Sequence, residues 1–129
     1  MTEHPDKKPP ALRLRIVFGG GAMLGPGKAD LLEGIRETGS IAAAARGMNM
    51  SYKRAWMLVE TMNAAFRAPV VQSSRGGSAG GGASLTQTGA AVLAEYRKLQ
   101  DITAEAGADR IAALQAMLKG EAGEDPPDS

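Results

Sequence analysis

The residues best suited to chemistry form a polar and basic group at the start of one predicted helix, Ser51-Tyr52-Lys53-Arg54. Ser51 is a suitable N-cap, because its hydroxyl can accept a hydrogen bond from a free backbone N–H of the first turn. That turn then exposes Tyr52, Lys53 and Arg54. A basic helix N-terminus is the end that a recognition helix inserts into the major groove of DNA. The alternative is an ordinary helical hairpin that carries two solvated cations.

A helical projection at 100° per residue separates an apolar face from a polar one. The apolar face consists of Ala55, Val59, Met62 and Phe66, with Leu58 beside it. Lys53 and Met57 lie on the opposite face, flanked by Arg54. The candidate DNA-binding residues of this helix are therefore Ser51, Tyr52, Lys53, Arg54 and Met57. Trp56 lies at a boundary between faces, where it could stack on a DNA sugar or clamp the second hairpin against the helices. We assign it a structural role, because a lone tryptophan is most often found in the core.

A second predicted helix lies just before this one, and a tight turn joins the two. Ser40 is its N-cap, and small helix formers follow in Ile41–Ala45. Gly47 is expected to adopt the left-handed conformation that ends the helix, with Met48 and Met50 as apolar plugs. The segment from Gly39 to Phe66 therefore predicts a helix-turn-helix.

The glycine-rich segment Ala22–Ala29, AMLGPGKA, does not fit a phosphate-binding loop. That motif needs Ser or Thr after its lysine to hold Mg²⁺, and Ala29 occupies the position. Pro26 instead predicts the start of a helix that extends from about Lys28 to Thr38. The buried stripe of this helix is expected to be Leu31, Leu32 and Ile35.

Residues for catalysis or metal binding are sparse. His4 is the only histidine, it lies in the polar and proline-rich start of the chain, and there is no cysteine. Asp30 and Glu33 share one helix face, where we expect them to be solvated. We therefore predict no enzyme activity, no cofactor and no bound metal.

Charge is distributed unevenly along the 129 residues, although the net charge is only +1. Between Gly39 and Gly89 there are five basic residues and one acidic residue, whereas the last ten residues carry four acids and no base. The composition predicts one domain, residues 11–118, between a disordered arm at 1–10 and an acidic disordered tail at 119–129. No apolar run approaches the roughly 20 residues of a membrane helix, and the absence of cysteine fits a cytoplasmic protein.

Two short β-hairpins are expected beside the helices. Leu12–Phe18 alternates apolar and basic residues, and Ala22–Leu24 could return as its partner. After Pro69, Val70–Arg75 and Ala83–Leu85 predict strands joined by the glycine-rich tip GGSAGGG. A hairpin directly after a helix-turn-helix is the wing of a winged helix. Its tip is either a passive loop or a DNA contact made by Arg75, Gly76, Gly77 and Ser78.

The last predicted helix begins after Thr86 and carries a long apolar stripe, with a break or bend at Gly107. Because this stripe exceeds what three short helices can cover, we expect part of it to form a dimer contact. The residues assigned to dimerisation are Val92, Tyr96, Leu99 and Ile102.

The segments GSIAAAA…MSYKRAW (Gly39–Trp56) and GG…GGGASLT (Gly76–Thr86) resemble the N-terminal DNA-binding domain of ModE-type molybdate-responsive regulators. More loosely, the chain is similar to the LysR-type winged helix. The resemblance implies a dimeric transcription factor, often a repressor of molybdate-uptake genes, that binds a palindrome. The DNA-binding role carries over to Ser51, Tyr52, Lys53, Arg54 and Arg75. The family's C-terminal molybdate-binding domains have no counterpart in this sequence. The protein is then either a stand-alone regulator, whose effector, if it has one, is unknown, or a regulator whose effector is supplied by another protein.

The sequence thus predicts a mainly α protein with small β-hairpins, a winged helix-turn-helix with a long C-terminal helix. Its predicted function is regulation of transcription, with double-stranded DNA as partner, a second copy of the chain in a homodimer, and no membrane. The rival hypothesis is a protein–protein adaptor that dimerises with a larger regulator and does not itself bind DNA. Salt dependence distinguishes the two, because phosphate contacts release counterions.

Overall fold

The computed structural model describes residues 10–74 and 82–119 of the chain. It divides into two units, one formed by Arg13–Lys98 and the other by the two chain ends, Met1–Leu12 and Leu99–Ser129. Most of the predicted arm and acidic tail, and the tip of the second hairpin, lie outside the described residues. The elements, in order, are β1 Ile16–Val17, a 3₁₀ turn Gly19–Gly21, β2 Met23–Leu24, α1 Pro26–Thr38, α2 Ile41–Gly47, α3 Tyr52–Ala65, β3 Val71–Ser74, β4 Gly82–Leu85, α4 Gln87–Ala106 and α5 Ala108–Ala116.

Hydrogen bonds from backbone N–H groups to serine side chains define the start of both helices of the helix-turn-helix. The Ser40 hydroxyl accepts from the Ala43 N–H at 3.0 Å, and the Ser51 hydroxyl accepts from the Arg54 N–H at 3.1 Å. Each bond satisfies one of the backbone donors that a helix N-terminus leaves free. Helix α1 ends at Gly39, whose φ of 75° is left-handed and whose N–H donates to the Ile35 carbonyl.

The turn between α2 and α3 differs from the prediction in one residue. Gly47 is the last residue of α2, and the left-handed residue is Asn49, with a φ of 59°. The Met50 N–H then donates back to the Ala45 carbonyl at 2.9 Å. The prediction for Gly47 was wrong. Asparagine also tolerates the left-handed conformation, so the left-handed residue is Asn49, two residues further along the chain.

The core of the Arg13–Lys98 unit lies where α1, α2, α3, the second hairpin and α4 meet. Leu31, Leu32 and Ile35 are completely buried, which confirms the predicted stripe of α1. Gly34 allows α1 to approach α2 closely, because a Cβ there would lie 2.9 Å from the Ala44 Cβ. The other buried residues are Leu24, Ala29, Ala44, Ala45, Ala55, Val59, Met62, Val70, Val71, Ala83, Leu93 and Tyr96.

Both hairpins are antiparallel, and each forms a separate two-stranded sheet. In the first, Ile16 pairs with Leu24 and Val17 with Met23, so the predicted strand is paired over two residues only. In the second, the register extends from Val71 opposite Leu85 to Ser74 opposite Gly82.

Helix α4 begins with a cap on Thr86, whose hydroxyl accepts from the Gly89 N–H at 2.9 Å. Gly89 itself packs so closely that a Cβ would overlap the carbonyl oxygen of Val70. At its other end α4 stops before Gly107 and α5 begins after it, which is the break expected from the sequence. No helix in the described ranges has the length and apolarity needed to cross a membrane.

Candidate nucleic-acid interface

One exposed face of α3 brings together four of the five candidate residues around the start of the helix, which are Ser51, Lys53, Arg54 and Met57. Lys53, Arg54 and Met57 are all exposed, and Met57 shows 52% of its surface. Together with Ser51, Leu58 and Thr61 they line a shallow depression of about 260 Å³. We call this set the basic face of α3. Within residues 10–74 and 82–119, neither Lys53 nor Arg54 forms a salt bridge, so both cations are available to an anionic ligand.

A second exposed face of α3 is aromatic and is turned toward the second hairpin. Tyr52 is 55% exposed and Trp56 is 45% exposed. Both line a cleft of about 440 Å³, whose other walls come from β3, β4 and the start of α2. The prediction that Trp56 belongs to the core was wrong, because its position at the helix boundary faces this cleft.

Asn63 joins the recognition-helix candidate to the hairpin. Its side-chain Oδ1 accepts from the N–H of Val70 at 2.7 Å and of Val71 at 3.1 Å, and its Nδ2 donates to the Val71 carbonyl at 3.3 Å. A single amide therefore satisfies three backbone groups at the start of β3. Sequence reasoning missed this role; the only signal was a polar residue at the edge of the apolar face, four residues after Val59.

Further backbone contacts attach the hairpin to the helix-turn-helix. The Ala83 N–H of β4 donates to the carbonyl of Gly39, the residue that ends α1, at 2.9 Å. The Thr86 hydroxyl donates to the Pro69 carbonyl at 2.6 Å. The base of the hairpin is thus fixed against α1 and α3. The predicted DNA contacts of its tip, Arg75, Gly76, Gly77 and Ser78, lie outside the described residues.

The sequence suggested that Asp30 and Glu33 are solvated. In the structure both carboxylates instead accept hydrogen bonds from Arg97. The Arg97 guanidinium of α4 donates to Asp30 Oδ1 at 2.9 Å and to Glu33 Oε1 at 2.6 Å. Its neighbour Tyr96 donates its hydroxyl proton to the Leu14 carbonyl at 2.6 Å. Burial raises the pKa of Tyr96 above its usual value, so the hydroxyl keeps its proton to a higher pH than an exposed tyrosine does. These contacts fix the first part of α4 to α1 and to the chain before β1.

The four residues assigned to dimerisation separate into two groups. Tyr96 is only 2% exposed and Val92 is half-buried against the core, so the assignment of Tyr96 to an exposed stripe was wrong. The Tyr96 side chain belongs to the core of its own protomer and is not free to contact a second copy. Leu99 and Ile102 are 38% and 58% exposed, and they remain the candidates for contact with another molecule.

The fold defines the class of protein, a winged helix-turn-helix with a small additional hairpin. A solved structure of the CbnR DNA-binding domain in complex with DNA, a LysR-type domain, superposes with a TM-score of 0.55. That match covers 68% of this chain and 95% of the CbnR domain, at 22% sequence identity. The predicted fold class is confirmed.

Sequence relatives are molybdenum-related proteins of bacteria. The chain is 48% identical to the molybdenum-pterin-binding protein MopB of Rhodobacter capsulatus over 80 residues, which is 62% of this chain and 30% of MopB. It is 40% identical to the molybdenum transport protein ModE of Azotobacter vinelandii over 91 residues, 70% of this chain and 33% of that protein. Identity to the DNA-binding transcriptional dual regulator ModE of Escherichia coli K12 is 36% over 81 residues, 63% of this chain and 31% of that protein.

The matched regions cover about a third of each of these relatives. No family model matches the chain.

Proposed function

We propose that this chain is a ModE-like, DNA-binding regulator of transcription that binds its operator with α3 in the major groove. The observation that carries the proposal is the basic face of α3, where Lys53 and Arg54 lie exposed on the first turn without a salt bridge among the described residues. Similarity to the ModE regulators and the winged-helix fold support it.

The candidate DNA-binding residues at the start of α3 each have a role that follows from their chemistry. Lys53 and Arg54 donate hydrogen bonds to base edges in the major groove, most favourably to guanine. Met57, one turn further along, offers an apolar surface to the methyl group of thymine. Ser51 and Tyr52 lie at the rim, where backbone N–H and hydroxyl groups reach phosphate oxygens. At the hairpin tip, Arg75, Gly76, Gly77 and Ser78 are proposed to approach the neighbouring minor groove.

We further propose that the active species is a homodimer. Leu99 and Ile102 expose apolar surface on α4, beyond the part of the helix that Arg97 fixes to α1. A two-fold dimer places two recognition helices about 34 Å apart, which matches two half-sites of a palindrome on one side of the duplex. The names of the ModE relatives support DNA binding and a link to molybdenum transport. We propose that the operators lie at genes of molybdenum transport and that the protein acts there as a repressor.

The proposal is tested by selecting bound sequences from random double-stranded DNA with the purified protein. We expect a palindromic motif with half-sites about one helical turn apart. Gel-shift titration of the selected duplex then compares the protein with its Lys53→Ala/Arg54→Ala variant, whose affinity should fall by at least about 100-fold, since a good base contact contributes about 1–3 kcal/mol. Selection of no sequence, together with no retarded complex at low salt, would instead favour an adaptor that does not bind DNA.

A further inference from the structure

A group of exposed apolar side chains lies on the first hairpin, at the opposite end of α3 from the basic face. Val17 and Met23 are cross-strand partners that expose 66% and 37% of their surfaces, and the neighbouring Phe18 exposes 39%. A depression of about 230 Å³ lies beside them, and its walls are Phe18, Gly19, Ala22, Met23, Ala65 and Phe66. We call Val17, Phe18, Met23 and Phe66 the first-hairpin surface. Exposed apolar side chains grouped around a depression mark a site where another molecule binds.

The rim of the first-hairpin surface is basic. Lys28 Nζ donates to the Met23 carbonyl at 3.1 Å, which places the ammonium group beside the depression. Arg15 is exposed and lies two residues before Val17, the spacing that puts two side chains on one face of an extended chain. Arg67 is also exposed and directly follows the C-cap of α3. None of the three cations forms a salt bridge within residues 10–74 and 82–119.

The local charge of this part of the chain is positive and uncompensated. Residues 11–29, which form the first hairpin and the start of α1, contain three basic residues and no acidic residue. The next acid along the chain, Asp30, already accepts a hydrogen bond from Arg97 at 2.9 Å. An apolar centre with a charged rim is the usual anatomy of a protein–protein contact, and the sign of the rim selects a partner of opposite charge.

We infer that the first-hairpin surface binds an acidic segment of another protein. One large apolar side chain of that segment enters the depression, and carboxylates on either side of it pair with Arg15, Lys28 and Arg67. Along the axis of α3, Phe66 lies about 20 Å from Lys53, since a helix rises about 1.5 Å per residue. The partner and DNA therefore bind the same protomer together, a point that rests on the proposed function.

The undescribed segments of this chain lack the combination that the surface requires. Among residues 1–9, 75–81 and 120–129, Met1 is the only large apolar residue, and its segment balances two acids with two lysines. The acidic residues 120–129 have only alanine and proline as apolar side chains beside their glycines. Neither segment offers both a large apolar side chain and net negative charge.

A second copy and a membrane are also poor occupants. A two-fold contact between copies brings the same surface of each together, so the cations of the two rims would face one another. A hairpin that inserts into an anionic membrane needs apolar side chains at its tip, and the tip here is Gly19–Gly21. The basic rim and the depression thus favour a partner protein.

The experiment selects short random peptides, displayed on phage, for binding to the immobilised full chain. We expect enriched peptides to contain phenylalanine, leucine or tryptophan with aspartate or glutamate on both sides. A fluorescein-labelled synthetic copy of the most enriched peptide then gives its affinity by anisotropy, with and without the DNA duplex selected above. The duplex should change that affinity by no more than about twofold, because the two sites are at opposite ends of α3.

Two variants change different groups of the surface. Phe18→Ser/Met23→Ser removes apolar area and Arg15→Glu/Lys28→Glu reverses the charge of the rim, and each should weaken peptide binding at least about tenfold. The charge-reversed variant should in turn prefer a peptide whose acids are replaced by lysine. Met117→Ser is the control, because Met117 is an equally apolar residue, 76% exposed, outside this surface. If one double variant loses its circular dichroism, the other remains the test.

Several results would overturn the inference. They are selection of no acidic and apolar motif, equal peptide binding by both double variants and the unmodified protein, or displacement of the peptide by the duplex. A smaller oligomer for Phe18→Ser/Met23→Ser in light scattering would assign the surface to a second copy, and sedimentation with phosphatidylserine vesicles in place of peptide binding would assign it to a membrane. Failure of the unmodified protein to bind any duplex overturns the proposed function alone, because peptide binding is also measured without DNA.

Discussion

Replacing Asn63 by alanine is expected to weaken the attachment of the second hairpin to α3 more than replacing any exposed residue of α3 does. The amide satisfies two backbone N–H groups and one carbonyl, at 2.7, 3.1 and 3.3 Å. Val70 is completely buried and Val71 is 6% exposed, so water reaches their N–H groups poorly. The Asn63→Ala variant therefore leaves two donors unsatisfied in a largely dry environment.

The expected decrease in stability follows from those two donors. A buried donor left without a partner costs about 1–3 kcal/mol, and two of them would cost about 2–6 kcal/mol if the site remained dry. Rearrangement at the start of β3 lets some water enter, so we expect a decrease of about 3 kcal/mol in the free energy of unfolding. Asn63→Asp keeps the accepting oxygen and removes the Nδ2 donor, so its decrease should be about 1–2 kcal/mol.

Urea denaturation, followed by Trp56 fluorescence and by circular dichroism at 222 nm, measures these differences. Thr61→Ala is the matched control, since the Thr61 hydroxyl is exposed and donates to the Met57 carbonyl of its own helix. That variant should change stability by no more than about 0.5 kcal/mol. A midpoint for Asn63→Ala equal to that of Thr61→Ala would refute the role of Asn63 as the connection between α3 and the hairpin.

Two further predictions concern packing and assembly. Gly89→Ala places a Cβ onto a backbone carbonyl and should lower the free energy of unfolding by about 3 kcal/mol. Gly27 has open space around it, so Gly27→Ala should leave the free energy of unfolding unchanged or raise it by about 0.5 kcal/mol. Thermal denaturation compares the two variants. The double variant Leu99→Glu/Ile102→Glu should be monomeric by light scattering and should bind the selected duplex at least about tenfold more weakly, because it places charge at the proposed contact. A monomeric unmodified protein at micromolar concentration would contradict the dimer.

Features that depend on neighbouring residues were predictable from the sequence. Ser40 and Ser51 cap their helices as expected, since an N-cap needs only a hydroxyl and the backbone three residues ahead. The stripe of Leu31, Leu32 and Ile35 is buried as its helical spacing predicts. The same local rules placed Lys53 and Arg54 on the exposed first turn of α3.

Features that depend on distant parts of the chain could not be predicted in this way. Arg97 is more than sixty residues from its carboxylate partners, and nothing in its own neighbourhood specifies the pairing. Trp56 lies at a helix boundary, and its exposure is decided by how far the hairpin stands from α3. Tyr96 has the spacing of the exposed stripe, yet it is buried with its hydroxyl on the Leu14 carbonyl, 82 residues away in sequence.

The salt dependence of binding to the selected duplex tests the central claim most directly. Fluorescence anisotropy between about 50 and 200 mM salt should give a steep fall in affinity for the unmodified protein, since each phosphate contact contributes a slope of about −0.9. For Lys53→Ala/Arg54→Ala the affinity should fall throughout this salt range, while the slope should change little, because the proposal places both side chains on base edges and not on phosphates. An identical slope and affinity for the two proteins, or binding that is independent of salt, would contradict a DNA interface on the basic face of α3.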